Sequence, residues 1–102
     1  MIAAELTTGS TTYTAPSNTK TTINSATVTN KTATPRYVTA TITPSGGSAI
    51  NAYYQYVVPA GQTVVLYGLV GQTLMAAGIL TMTAEANTAL DALISGYETS
   101  GT

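Results

Sequence analysis

The amino-acid sequence predicts an all-β chain, a single antiparallel β-sandwich of about eight strands with Greek-key or jelly-roll-like connections. Three observations lead there. Apolar and polar residues alternate with a period of two in several runs, most cleanly from Arg36 to Thr43. Turn residues recur at spacings of roughly 8–12 residues. Threonine supplies roughly a fifth of the chain, and its β-branch favours extended backbone while its hydroxyl faces water. At 102 residues the chain reads as one domain, residues 1–102, able to bury a core without disulfides or metal.

Residues Met1 to Leu6 read as a short edge strand, and Met1 to Thr8 as an extended N-terminal arm, with a break at Gly9-Ser10. Thr11 to Ala15 is a second strand, closed by Pro16-Ser17-Asn18. In Lys20 to Asn30 the apolar residues Ile23, Ala26 and Val28 are out of step. One alternation cannot bury all three, so a β-bulge is expected near Asn24-Ser25. Asn30 to Pro35 is a polar loop. Arg36 to Thr43 then places Val38, Ala40 and Ile42 inward and Tyr37, Thr39, Thr41 and Thr43 outward. Pro44-Ser45-Gly46-Gly47-Ser48 is a turn.

Two apolar runs, Ile50–Val58 and Val64–Val70, flank Pro59-Ala60-Gly61-Gln62, the pattern of a hairpin with a tight turn. Simple alternation puts Ile50, Ala52, Tyr54, Tyr56 and Val58 on one face, with Tyr53, Gln55 and Val57 on the other. Tyr54 and Tyr56 are then core residues, standing in for the absent Phe and Trp. Gly71 to Gly78 is a loop or short strand laying Leu74 over the end of the core. Ile79 to Ala84 alternates again, with Leu80, Met82 and Ala84 together. Ala86 to Leu93 has helical spacing, but Asp91 to Glu98 alternates as a strand. The strand is preferred, with Glu85 to Ala89 as a loop and Ser100-Gly101-Thr102 as a tail. Ala15-Pro16-Ser17-Asn18 and Val58-Pro59-Ala60-Gly61 echo one another, as two uses of one turn type.

The chemistry is defined by omission. The chain has no Cys and no His, which removes thiol chemistry, the commonest general base and the commonest metal ligand. Only 7% of residues are charged, for a net charge of −1, against roughly 25% in ordinary domains. Three basic residues make no phosphate-tracking surface, so no nucleic-acid partner is expected. No apolar run reaches the roughly 20 residues of a membrane span, and no signal peptide is visible after Met1. Glu85, Asp91 and Glu98 lack ligand-loop spacing and read as solvated acids rather than a cation site. Asn30-Lys31-Thr32 matches a glycosylation acceptor by chance. No cofactor is expected, and an enzyme is not. Weak repulsion between copies fits either a monomer kept in solution by hydroxyls or a protein whose working state is an assembly. The second is favoured.

One resemblance covers nearly the whole chain. Tyr13 to Thr19, Ile23, Thr27 to Asn30, Val38, Ile42 to Gly47, Val58 to Thr63 and Ile94 to Glu98 resemble a group of small virion proteins of tailed bacteriophages. These are single β-sandwich domains found on heads as decoration or cement subunits, with similar domains in tail and neck accessories. Ala26 and Ala92 depart from it, being smaller than expected. The resemblance implies a structural virion protein on the outer capsid surface. It would bridge major capsid proteins, or other virion proteins, as a homo-oligomer, with a trimer favoured. The expected contact residues are Ile2 and Leu6 on the arm, Tyr53 and Tyr37 on outward faces, and Lys31 and Arg36 in and beside the 30–35 loop. A neck or tail connector of the same fold, or a carbohydrate-binding host-attachment module, are the alternatives. Rings would mark the connector and glycan binding the attachment module.

Overall fold

The computed structural model describes residues 2–100. Nine strands succeed one another: β1 (Ile2–Glu5), β2 (Thr11–Thr14), β3 (Thr19–Asn30), β4 (Arg36–Thr43), β5 (Ile50–Val58), β6 (Thr63–Val65), β7 (Thr73–Leu74), β8 (Ile79–Ala84) and β9 (Leu90–Ser100). One sheet runs β1-β9-β3-β6, with β7 also against β3; the other runs β2-β8-β4-β5. Setting β7 aside, the pairings nest: β1 with β9, β2 with β8, β3 with β6 and β4 with β5. This is one long hairpin with its tip between β4 and β5, wound until β3 also meets β9 and β4 also meets β8. The result is a jelly roll, an antiparallel β-sandwich.

Apolar faces of both sheets supply the core. Val38 and Ala40 from β4, and Leu80, Met82 and Ala84 from β8, meet Ile23, Ala26 and Val28 from β3 and Leu90, Ala92 and Ile94 from β9. The two small residues have a physical account. Ala26 lies opposite Ile94, and Ala92 lies opposite Val28, so each alanine makes room for a larger cross-strand neighbour. The expected bulge is present: the β3–β9 register shifts between Ile23 and Ser25, leaving Asn24 without a partner. β9 begins at Leu90, and the loop 85–89 precedes it, in agreement with the strand reading of this segment. Ser100 ends β9, while Gly101 and Thr102 of the expected tail, and Met1 of the arm, lie outside the described residues.

The echoed turns serve one purpose. Both carry the chain from an edge of the four-stranded sheet into the other sheet, β2 to β3 and β5 to β6. In each, the residue before Pro is buried, Ala15 and Val58. The second residue after Pro has positive φ, 56° at Asn18 and 69° at Gly61, the conformation that Asn and Gly tolerate best.

Two expectations are corrected here. β5 and β6 are not a hairpin: Gln62 N–H closes the predicted turn on Pro59 O at 3.2 Å, but β6 pairs with β3 in the opposite sheet. The second run also stops being a strand at Val65, because Leu66 to Gln72 coil through successive turns that bury Leu66 and Leu69 completely. The alternation on β5 is the other correction. Its register against β4 shifts twice, between Val38 and Ala40 and between Ala40 and Thr41, with Gln55 at φ 49°. Each shift inserts a residue and reverses the facing of its neighbours further along the strand. Tyr53 is thereby packed against the core and Tyr54 turned outward, while Tyr56, which keeps its place opposite Val38 ahead of the shifts, is nonetheless exposed.

Candidate interaction surface

The ionised side chains are mostly spent on one another. Lys31, just past β3, donates to Glu5 of β1 and, at 3.1 Å, to Asp91 of β9. Its ammonium pKa is raised, first by the bond to Glu5 and then by that to Asp91. Arg36 faces Glu85 at 3.9 Å, and Glu85 also accepts the Tyr37 N–H at 3.1 Å. Glu98 accepts from the Tyr13 hydroxyl, which also lies 3.1 Å from the buried Thr21 hydroxyl. Burial and then the Glu98 bond raise the Tyr13 pKa. Glu85, Asp91 and Glu98 therefore sit with three different partners, and no cluster of three or more metal-ligating side chains occurs among the described residues.

Asn30 is the buried polar anchor that the sequence did not reveal. Its Nδ2 donates to Thr34 O at 2.8 Å and to Val58 O at 2.9 Å, while its Oδ1 accepts from Thr32 N–H at 2.9 Å and from Thr32 Oγ1 at 2.6 Å. One amide thus folds the 31–35 loop and ties β3 to the end of β5. Its nitrogen is fully committed and inaccessible, which gives the chance glycosylation pattern a structural meaning instead.

The remaining surface has the opposite character. No Asp, Glu, Lys or Arg occurs between Arg36 and Glu85. Eight of the ten large apolar or aromatic side chains exposed among the described residues lie in this interval, from Ile50 to Met75. Ile50 is 62% exposed and Tyr67 76% exposed. The backbone beneath them is held firmly: Gly68 N–H donates to Tyr53 Oη at 2.7 Å. That approach needs a residue without a side chain, since a Cβ on Gly68 would lie 3.1 Å from the same oxygen. Two shallow clefts open beside this clasp and share Ile42. One, of about 350 Å³, is lined by Ile50, Ala52, Gly68 and Gln72; the other, of about 220 Å³, by Pro44, Leu74 and Met75. Ile50 and Met75 line these clefts and Tyr67 adjoins Gly68, making an apolar end of the sandwich whose cleft linings carry no charge, with Glu98 of β9 across Thr21 from Leu74.

No protein-family model, curated protein or solved structure matches the chain.

The residues expected at contacts are not gathered in one place. Ile2 and Leu6 are buried, Ile2 on an edge strand paired with β9 and Leu6 bonded through its N–H to Leu90 O at 2.8 Å. The described part of the arm therefore completes this chain's own sheet. Lys31 and Arg36 are engaged in ion pairs. Tyr53 is half-buried, its hydroxyl taken by Gly68. Tyr37 is half-buried on the outward face of β4. Sequence reasoning did not place Ile50 or Met75 at a contact, although the charge-free interval that contains them is plain in the sequence.

Proposed function

We propose that the protein is a structural subunit of a virus particle, a capsid decoration or cement protein of the tailed-bacteriophage kind. In this reading it docks onto neighbouring shell proteins through the uncharged end formed by residues 50–75. The observation that carries the reading is the segregation of charge. Lys31, Arg36, Glu5, Glu85 and Asp91 are engaged in ion pairs, while exposed Ile50, Tyr67 and Met75 belong to the interval 37–84, which has no ionised group, and the clefts beside them are lined by uncharged residues. A surface with no ions to desolvate and several large apolar side chains is favourable to bury against another protein. Jelly rolls serve in viral capsid domains, which is agreement by fold-level analogy. Several copies, each bridging two shell subunits, would stabilise the particle through avidity with modest affinity per contact. Quantitative mass spectrometry of particles purified from the source culture tests this. The expected result is a copy number in simple ratio to the most abundant shell protein; absence from the particles would overturn the proposal.

A further inference from the structure

The outer face of the four-stranded sheet carries a second surface, of different chemistry from the apolar end. Val38, Ala40, Leu80 and Met82 fill the core, so alternation turns Thr39, Thr41, Thr81 and Thr83 to solvent. The register aligns them in rows across the strands. Thr12, Thr81, Thr41 and Asn51 form one row, Thr14, Ile79 and Thr43 the next, and Thr83 and Thr39 a third. At the bulge in β5, Tyr54 and Gln55 together oppose Thr39, and Gln55 N–H donates to Thr39 Oγ1 at 3.1 Å. Tyr54 is 69% exposed. Tyr37 and Val57 pair one step further along the same side. The rows contain no carboxylate, ammonium or guanidinium. The nearest, Arg36 and Glu85, lie at the margin and face each other.

We propose that this face binds neutral oligosaccharides. A threonine hydroxyl both donates and accepts, as does every hydroxyl of a sugar, so a grid of threonines meets a saccharide without orphaning either partner. β-Branching restricts χ1, so these hydroxyls lose little freedom when a ligand binds. Neighbours within a row lie about 4.7–4.9 Å apart across the strands and successive rows roughly 7 Å apart along them, a repeat suited to an extended chain rather than to one small molecule. Tyr54, with Tyr37 and Val57, offers the apolar surface on which the C–H face of a sugar ring stacks. The absence of formal charge selects neutral sugars over uronates or sialylated chains. Threonine is under-represented among residues that anchor protein partners, which separates this face from the apolar end described above.

The test is titration of the isotopically labelled full chain with maltohexaose, cellohexaose and chitohexaose, monitored by amide chemical shifts, with oligogalacturonate as the charged control. At least one neutral chain is expected to shift the amides of Thr39, Thr41, Thr81 and Thr83. Tyr54→Ala is expected to weaken that binding about tenfold, equivalent to roughly 1.4 kcal/mol, while Tyr67→Ala leaves it unchanged. No shift with any neutral chain, or shifts confined to residues 66–78, overturns the proposal. So does binding of the oligogalacturonate alone. Shifts of the same amides on simple dilution, without sugar, would show that a second copy covers the face and would also overturn it. Particle stoichiometry is independent of all these outcomes, so this inference and the structural role fail separately.

Discussion

Two regions of this molecule arrive at a low net charge by opposite routes. Around β1, the end of β3 and the start of β9, charges are present and largely offset one another, two cations against three carboxylates: Lys31 between Glu5 and Asp91, and Arg36 against Glu85 nearby. Across residues 37–84 they are simply missing. Paired ions at a surface remain hydrated, contribute little to stability and cost free energy to bury. A region that never had ions carries no such penalty. The low net charge of the whole chain therefore says little about association; where it comes from says much more.

The comparison fails if the uncharged region is merely loose, so its inner side chains give the largest expected effect. Leu69 lies in a stretch without strand structure, yet it is completely buried. Leu69→Ala is expected to lower the unfolding free energy by about 2–5 kcal/mol in chemical denaturation, as in other fully packed cores. A loss below about 1 kcal/mol would mean that the 66–72 turns are detachable and that the exposed residues above them have no rigid base.

Asn30 probes the seam between the two regions. Asn30→Ala leaves the carbonyls of Thr34 and Val58 without their donor and Thr32 N–H without its acceptor. A buried group stranded in this way costs about 1–3 kcal/mol, and a loss of that order is expected in the same denaturation experiment. Asn30→Asp keeps the acceptor for Thr32 but supplies no donor for the carbonyls, so it is not expected to rescue. A rescue by Asp would show that the loop, rather than the tie to β5, is what Asn30 holds.

Legibility in the sequence divides along the same line. Segments whose alternation is local and unbroken were legible: β4, β8, the strand from Asp91, and even the slip at Asn24. The turn at Pro59–Gln62 was legible as chemistry, because Gly61 takes positive φ wherever the chain goes next. Its consequence was not, since whether the next strand returns beside β5 or crosses to β3 depends on the other sheet. The two register shifts in β5 cannot be seen in a run of Ile, Tyr and Val, and they exchanged the expected places of Tyr53 and Tyr54. Ile2 and Leu6 looked like free arm residues because nothing local says that β9 awaits them. The apolar end was visible only as an absence, the interval without charge between Arg36 and Glu85.

Exposed residues of the uncharged end should separate association from stability. Ile50→Ser and Tyr67→Ser remove no core contact and are expected to change unfolding free energy by no more than about 0.5 kcal/mol. In sedimentation analysis they are expected to shift any oligomer of the wild-type chain toward monomer, whereas Lys31→Met leaves it in place. Loss of the oligomer in Lys31→Met alone would relocate the interface to the charged side and reverse the comparison.

The smallest effect concerns the paired side and is read through pH. Tyr13 and Lys31 both have pKa values raised in the folded chain, Tyr13 by burial and then by its bond to Glu98, Lys31 by Glu5 and then Asp91. A proton held more tightly in the folded than in the unfolded state stabilises fully below the unfolded pKa, about 10 for Tyr and 10.4 for Lys. That stabilisation disappears as pH rises through the folded value. Melting temperature is therefore expected to stay level through neutral pH on account of these two groups and to fall above about pH 10. Tyr13→Phe and Lys31→Met should each flatten part of that fall. Added salt should suppress the share that belongs to Lys31, whose partners are solvent-exposed, more than the share of Tyr13, which bonds the buried Thr21. An alkaline limb identical in the wild type and both variants would mean that these contacts are not formed in solution. The charges on that side would then be free, and the contrast with the uncharged end would rest on the apolar residues alone.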